Sequence, residues 1–324
     1  MTAYIVRRVM SSVLVALLVS LFVFLAINLQ SGSVIEADIA ASGIVSQDQI
    51  EELRRDLKLD RSPMERYLTW WRDAFIGCQE GETVCYGNSL RVRGVSIWSR
   101  VGDALPYSIE MLVLSLLISF IVAIPIGTLS ALHQDTALDY VLRLVAILGV
   151  AVPTFFIGTL VVIYGSRWFN YAPPTSIPYF WDGPLRNIAA FIPPALILGY
   201  ALAAVTMRMT RSTMLEILRH DYVRTARAKG LHEGSVIRTH AFRNALIPVI
   251  TIIGNQAAFL IGGSVIVERI FNVPGMGWLA YTAIAERDYT QVLATTMVLT
   301  VGVILVNLLV DICYAVIDPR IRYA

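Results

Sequence analysis

The chain has 324 residues, of which 56% are hydrophobic and 15% charged, and its mean hydropathy is +0.64. Soluble domains carry about 25% charged residues, so the deficit excludes an ordinary soluble protein and points to one embedded in a membrane. A net charge of +2 gives no sign of a nucleic-acid partner.

Crossing a bilayer takes roughly 20 apolar residues in a helix. The runs that meet this are Val9–Leu29, Ser108–Leu132, Tyr140–Gly165, Ile188–Met207, Ala245–Val267 and Val292–Val316. The first is too long for a cleavable signal and lacks a small-residue cleavage site, so it reads as an anchor. Six spans put both termini on one side. Arg7, Arg8, Arg320, Arg322 and the arginine-rich 208–244 loop assign that side to the cytoplasm. The expected organisation is residues 1–30 as the cytoplasmic end and first span, 31–105 as an exterior insertion, and 106–324 as a core of five spans.

Within the insertion, Gln47–Leu59 reads as a polar helix with Ser46 as its N-cap. Met64–Ile76 reads as a second helix, rich in Tyr67, Trp70 and Trp71. Cys78 and Cys85 follow, and on an oxidising face they are expected to pair. Closing so short a loop contributes roughly 2–3 kcal/mol; two free thiols are the alternative. The absence of a nearby histidine argues against a metal site. Cys313, inside the last span, reads as packing.

The 208–244 loop is polar and basic between two apolar runs. Leu215, Leu218, Tyr222 and Ala226 recur at intervals that place them on one face of a helix. Gly230 interrupts it, Leu231–Phe242 fits a second short helix, and Pro248 opens the next apolar run. Two readings stay open: a topology signal lying against anionic lipid, or a helix–Gly–helix unit that docks on a partner.

In the fifth span Gly254, Ala258 and Gly262 repeat every fourth residue, a spacing that lets a facing helix approach closely. Asn255 and Gln256 beside them must bond another helix, line water or touch cargo. Pro125, Pro153, Pro193 and Pro194 remove backbone donors inside spans. Asp311 reads as the one carboxylate well inside a span. It lies close to the end of that span, where pairing with a loop arginine is the favoured role and a proton relay the weaker one. The chain has no Gly-x-x-x-x-Gly-Lys-Ser/Thr phosphate loop and no nucleophile elbow. His133, His220, His232 and His240 are scattered, so no metal or catalytic site is expected.

Thr225-Ala-Arg-Ala-Lys-Gly-Leu followed by Arg243-Asn-Ala-Leu-Ile-Pro resembles the cytoplasmic loop of ATP-binding-cassette importer permeases, in the dipeptide, oligopeptide and nickel branch. Further matches run in the family's order: Tyr86-Gly-Asn-Ser, Arg100–Ser108, Asp139 with Pro153 and Phe155, Arg211-Ser-Thr-Met-Leu-Glu, Val265-Ile-Val-Glu-Arg-Ile-Phe, Pro274-Gly-Met-Gly, Arg287-Asp-Tyr and the ending from Val306. The match covers roughly Tyr86 to the C-terminus and the first span. Arg224-Thr225-Ala226 stands where the wider superfamily has Glu-Ala-Ala, and Gln30-Ser31-Gly32-Ser33 replaces the usual Pro-Gly-Asp-Pro.

The resemblance implies an all-α integral membrane protein with six spans and the type I importer permease fold, serving as one of two pore subunits. It implies that Arg224, Thr225, Ala226, Arg227, Ala228, Gly230 and Leu231 dock on an ATPase subunit. The implied partners are a homologous permease, two ATPase subunits that bind ATP and magnesium, an extracellular solute-binding protein and membrane lipid. The chain itself would hold no cofactor and catalyse no bond breaking. Rival readings are an ion-coupled secondary transporter, which would need midplane ionisable residues and inverted repeats, and a membrane scaffold or receptor.

Overall fold

The computed structural model describes Arg7 and residues 10–26, 60–77, 85–89, 91–92 and 94–317. Its elements are helices: α1 (Met10–Ala26), α2 (Pro63–Phe75), α3 (Ile97–Leu132), α4 (Ala137–Ala151), α5 (Thr154–Phe169), α6 (Pro184–Leu218), α7 (Asp221–Ala228), α8 (Arg243–Gly263), α9 (Val265–Ile270), α10 (Met276–Ala285) and α11 (Tyr289–Ile317). A one-turn helix at Glu233–Ser235 and a π-helical stretch at Val236–Phe242 lead into α8. Among the described residues, three helices are long and apolar enough to cross a membrane, or up to five if each of two bent pairs counts as one span. The Gln47–Leu59 helix, Cys78, Arg8, Arg320 and Arg322 lie outside the described residues.

Two expected spans take a different form. Tyr140–Gly165 is not one helix: α4 and α5 meet at 94°. Pro153 lacks an N–H and forces the preceding residue out of the helical region; Val152 accordingly sits at φ −90°, ψ 123°. Pro248 does not open the fifth span. It lies inside α8, at a 43° bend between residues 246 and 248.

The chain divides into two compact units, Met1–Leu105 with Trp278–Val301, and Pro106–Gly277 with Gly302–Ala324. In the first, α2 begins at a capping box: Glu65 N donates to Ser62 Oγ, and Ser62 N donates to the Glu65 carboxylate. Its inner face, Tyr67, Trp70 and Ala74, is buried with Phe24, Tyr86, Ile97, Leu293 and Ala294. The Tyr86–Ser89 turn explains its own sequence. A Cβ at Gly87 would collide with the Asp73 carbonyl oxygen, and Ser89 Oγ donates to the buried Asp288 carboxylate. Asp288 also takes Thr290 Oγ1 at 3.0 Å and lies 3.4 Å from Arg100 Nη1. Cys85 is disulfide-bonded.

In the second unit Tyr107, Met111, Phe191, Leu198, Leu202, Leu260, Val267 and Phe271 belong to one apolar cluster. The Val265–Phe271 and Pro274–Gly277 motifs form one knot around the buried Glu268. Its Oε1 accepts from Ser264 Oγ at 2.6 Å and Ser108 Oγ at 3.3 Å. A Cβ on Gly275 would come within 2.7 Å of the Glu268 carboxyl carbon, and one on Gly277 within 2.9 Å of its Oε2. Glycine is required there because the backbone runs against a carboxylate.

Candidate functional site

The expected 208–244 loop is shorter in the structure: residues 208–218 continue α6, and residues 221–244 fold back onto its end. The helix stops at Arg219, His220 turns to extended backbone at φ −67°, ψ 147°, and α7 starts again at Asp221. This corrects the single continuous face. Leu215, Leu218 and Ala226 do join one cluster, with Ala131, Met214, Ile217, Val223, Val236, Ala241 and Ala245. Tyr222 does not: the break at 219–220 shifts the helical phase, so Val223 is buried in its place and Tyr222 is exposed. The Tyr222 hydroxyl accepts from Asn244 Nδ2 at 3.1 Å.

The α7 helix ends at Lys229, and Gly230 follows at φ +76° with open space around it. That is the left-handed region, which a Cβ disfavours. Arg224, Thr225, Arg227, Ala228, Gly230 and Leu231 are all exposed. Ala226 is not: 5% exposed, it anchors α7 from the inside, so its small side chain serves the chain's own packing. The Arg227 guanidinium reaches Glu233 at 2.6 Å, bridging α7 and the next turn. Outside the membrane-spanning segments, that hydrogen bond holds the Glu233 carboxyl below its ordinary range. An open cavity of about 470 Å³ beside α7 is lined by Arg211, Ser212, Leu215, Glu216, Arg219 and His220.

At this same end lies a group that the motif matches touched without revealing. Asp139, fully buried, takes both arms of Arg211: Nε donates to Oδ1 and Nη2 to Oδ2, each at 2.8 Å. Ser130 Oγ donates to Oδ1 at 2.5 Å and the Asp135 amide to Oδ2 at 3.1 Å. One carboxylate therefore gathers α3, α4 and α6. The residues stand 72 positions apart, and nothing in local spacing pairs them.

Within the spans, Gly254 presses on Val310 of α11, but Gly262 faces open space. Within this chain the close packing therefore does not reach Gly262, and Ala258 is only half-buried. A helix turns about 100° per residue, so each four-residue step drifts about 40°. Ile261, seven residues from Gly254 and nearly in phase with it, faces Gly302 instead, where an added Cβ would lie 3.5 Å from it. Gln256 is spent on glue: its Oε1 accepts from Thr206 Oγ1 at 3.0 Å and its Nε2 donates to the Leu202 carbonyl at 3.1 Å. Asn255 is exposed. Asp311 is half-buried on α11. It is not the only carboxylate in a spanning helix, because Glu110 lies within α3 and accepts from Asn187 Nδ2 at 2.9 Å. Among the described residues no cluster of His, Cys, Asp or Glu could hold a metal ion.

Residues 123–323 match the family described as binding-protein-dependent transport system inner membrane component, and residues 1–112 match the N-terminal component of that kind of transport protein. The oligopeptide transport system permease protein AppB of Bacillus subtilis is 33% identical over 325 residues, covering all of both chains. A Brucella abortus protein whose name is that of a peptide transport system permease is 36% identical over 323 residues, again across the whole of both. Among solved structures, the chain resembles the MetNI methionine ABC transporter in inward-facing conformations, with a TM-score of 0.56 at 15% identity. That likeness covers 68% of this chain and 98% of the other. It speaks to fold alone: the type I importer permease fold.

Proposed function

The chain belongs to the binding-protein-dependent transport system inner membrane component family, and on that premise we propose that its 208–244 loop is the surface through which partner ATPases drive it. The chain is a pore subunit of an ATP-driven importer of peptides or related solutes; its relatives are named as peptide and oligopeptide transport system permeases. Its expected partners are a second, homologous permease, two ATPase subunits and an exterior solute-binding protein. ATP and magnesium belong to the ATPases, and this chain breaks no bond. Both termini and the loop lie on the cytoplasmic side, and the exterior insertion carries a Cys78–Cys85 disulfide. Asn255, whose neighbour Gln256 is committed to helix contacts, is the better candidate for the solute pathway. Asp311 keeps its role as a structural ion-pair partner.

The observation that carries the docking reading is the two-sidedness of α7. Val223 and Ala226 bury inward, while Arg224, Arg227, Ala228, Gly230 and Leu231 stand outward at the turn. A short helix rooted in its own core and presenting small and basic residues has the shape of an element seated in a partner's groove. When the ATPases close on ATP, a helix fixed this way carries their displacement into α6 as a rigid-body movement.

The test is Gly230→Val. A β-branched residue at φ +76° is strained, so the turn distorts while the spans still insert. Purification of the assembled importer should show the ATPases lost, or retained with hydrolysis disconnected from uptake. Full uptake with the ATPases retained would reduce the loop to a topology signal.

A further inference from the structure

Asp139 is fully buried and belongs to none of the surfaces assigned above. Its bidentate partner Arg211 lies on α6 three residues before Met214 and six before Ile217, both packed in the cluster that roots α7. Ser130, two residues from the end of α3, closes the same carboxylate. We propose that the Asp139–Arg211 pair is a positioning link that makes the loop ends of α3, α4 and α6 move with α7 as one body. It rests on the reading of the loop as the ATPase-docking surface.

The packing next to the pair fits this role. A Cβ at Gly127 of α3 would come within 2.8 Å of the Met207 carbonyl oxygen and of Thr210 Cβ on α6. One at Gly149 of α4 would come within 2.7 Å of Ala204 Cβ. Ala123, Ala146, Ala203 and Met207 fill the same seam. Helices this close cannot slide past one another without unpacking. A buried ion pair adds little net stability over an apolar core of the same shape. What the guanidinium fork supplies is one permitted register between α4 and α6.

Arg143 makes the link testable. Its Nε lies 3.6 Å from Asp139 Oδ2, and its Nε and Nη2 are buried with no hydrogen-bond partner among the described residues. Removing Arg211 therefore leaves Asp139 beside a second cation on its own helix. The bridge between helices is cut without stranding a bare carboxylate.

The experiment compares Arg211→Met, Arg211→Lys and Arg143→Met in the full importer with its ATPases, reconstituted in lipid. Uptake of labelled alanine oligopeptides is divided by ATP hydrolysed. We expect Arg211→Met to retain the ATPases and hydrolysis but lower uptake per ATP about tenfold, Arg211→Lys to recover part of it, and Arg143→Met to stay near wild type. A merely structural role would instead lower the yield of complex and leave the ratio unchanged. As a check independent of folding, spin labels at the exposed Gln134 and Arg219, in a Cys313→Ser background, should report one distance in the nucleotide-free and ATP-trapped states. A shift approaching a helical turn, roughly 5 Å, or an unchanged ratio in Arg211→Met, overturns the link. Full uptake with the ATPases retained in Gly230→Val would instead overturn the docking reading beneath it.

Discussion

Asp139 and Glu268 are both fully buried carboxylates in the same compact unit, yet they are held in different ways. Asp139 is gripped by charge from a helix 72 residues away, with a second arginine at 3.6 Å. Around Glu268 the packing is close: two serine hydroxyls reach it, and the backbone at Gly275 and Gly277 runs against it. Charge ties together elements that must keep register while they move. Close glycine packing makes a fixed knot that tolerates no added atom. The two sites should therefore differ most when a charge is taken away.

The largest effect should come from taking away the charge at Asp139. Asp139→Ala leaves Arg211, with only 17% of its side chain exposed, without its carboxylate, and breaking a buried pair from one side costs about 3–5 kcal/mol. Glu268→Gln keeps the shape and an acceptor for both serines, so about 1 kcal/mol is expected, in line with weakening a charge-assisted hydrogen bond to a neutral one. Thermal unfolding of the purified complex in lipid nanodiscs measures both. Equal losses would erase the distinction between the sites.

Adding a methyl probes the packing around Glu268 against an open position. Gly275→Ala places a Cβ 2.6 Å from Ser108 Oγ and 2.7 Å from the Glu268 carboxyl carbon. Overpacking of that kind costs about 1–3 kcal/mol. Gly262→Ala, with nothing within 4 Å, should be neutral or gain up to about 1 kcal/mol from helix propensity. A Gly275→Ala protein as stable as wild type would show that the knot is slack.

These two sites also mark where the sequence was legible. Among the described residues hydropathy located the three long apolar helices, because burial in lipid leaves a run of apolar residues that no side-chain detail can hide. The motif matches at Asp139, Arg211, Glu268 and Pro274–Gly277 flagged the right residues, but not what each touches. Asp139 meets Arg211 across 72 residues, and only the packed fold brings them together. The bend at Pro153 was written in the sequence, since a proline disrupts the turn before it, but its 94° angle depends on what α4 and α5 pack against. The break at Arg219–His220 carries no glycine or proline, so periodicity ran through it and put Tyr222 where Val223 belongs. The four-residue row at Gly254 and Gly262 is split within this chain, Gly254 meeting Val310 and Gly262 open space, since the face rotates about 40° with each step of four.

The smallest effect should be at Arg227 and Glu233, a charged contact open to water. The pair spans 2.6 Å, but the two side chains are 40% and 53% exposed, and exposed pairs contribute only about 0–1 kcal/mol. Because Arg227 holds the Glu233 carboxyl below its ordinary range, the pair's contribution is present above the unfolded carboxylate's pKa. It disappears as pH falls through the lowered folded value. Glu233→Gln should therefore flatten a slight acid-side dependence of thermal stability and leave uptake per ATP within about twofold of wild type. Arg227→Gln should do the same, where Arg211→Met, with the same formal loss of charge, should fall about tenfold. The contrast isolates burial as the variable, because both arginines use guanidinium-to-carboxylate contacts under 3 Å. If Arg227→Gln lowered coupling as far as Arg211→Met, charge on the exposed face of α7 would matter more than its shape, and the docking surface would have to be redrawn around Arg224 and Arg227 rather than Gly230.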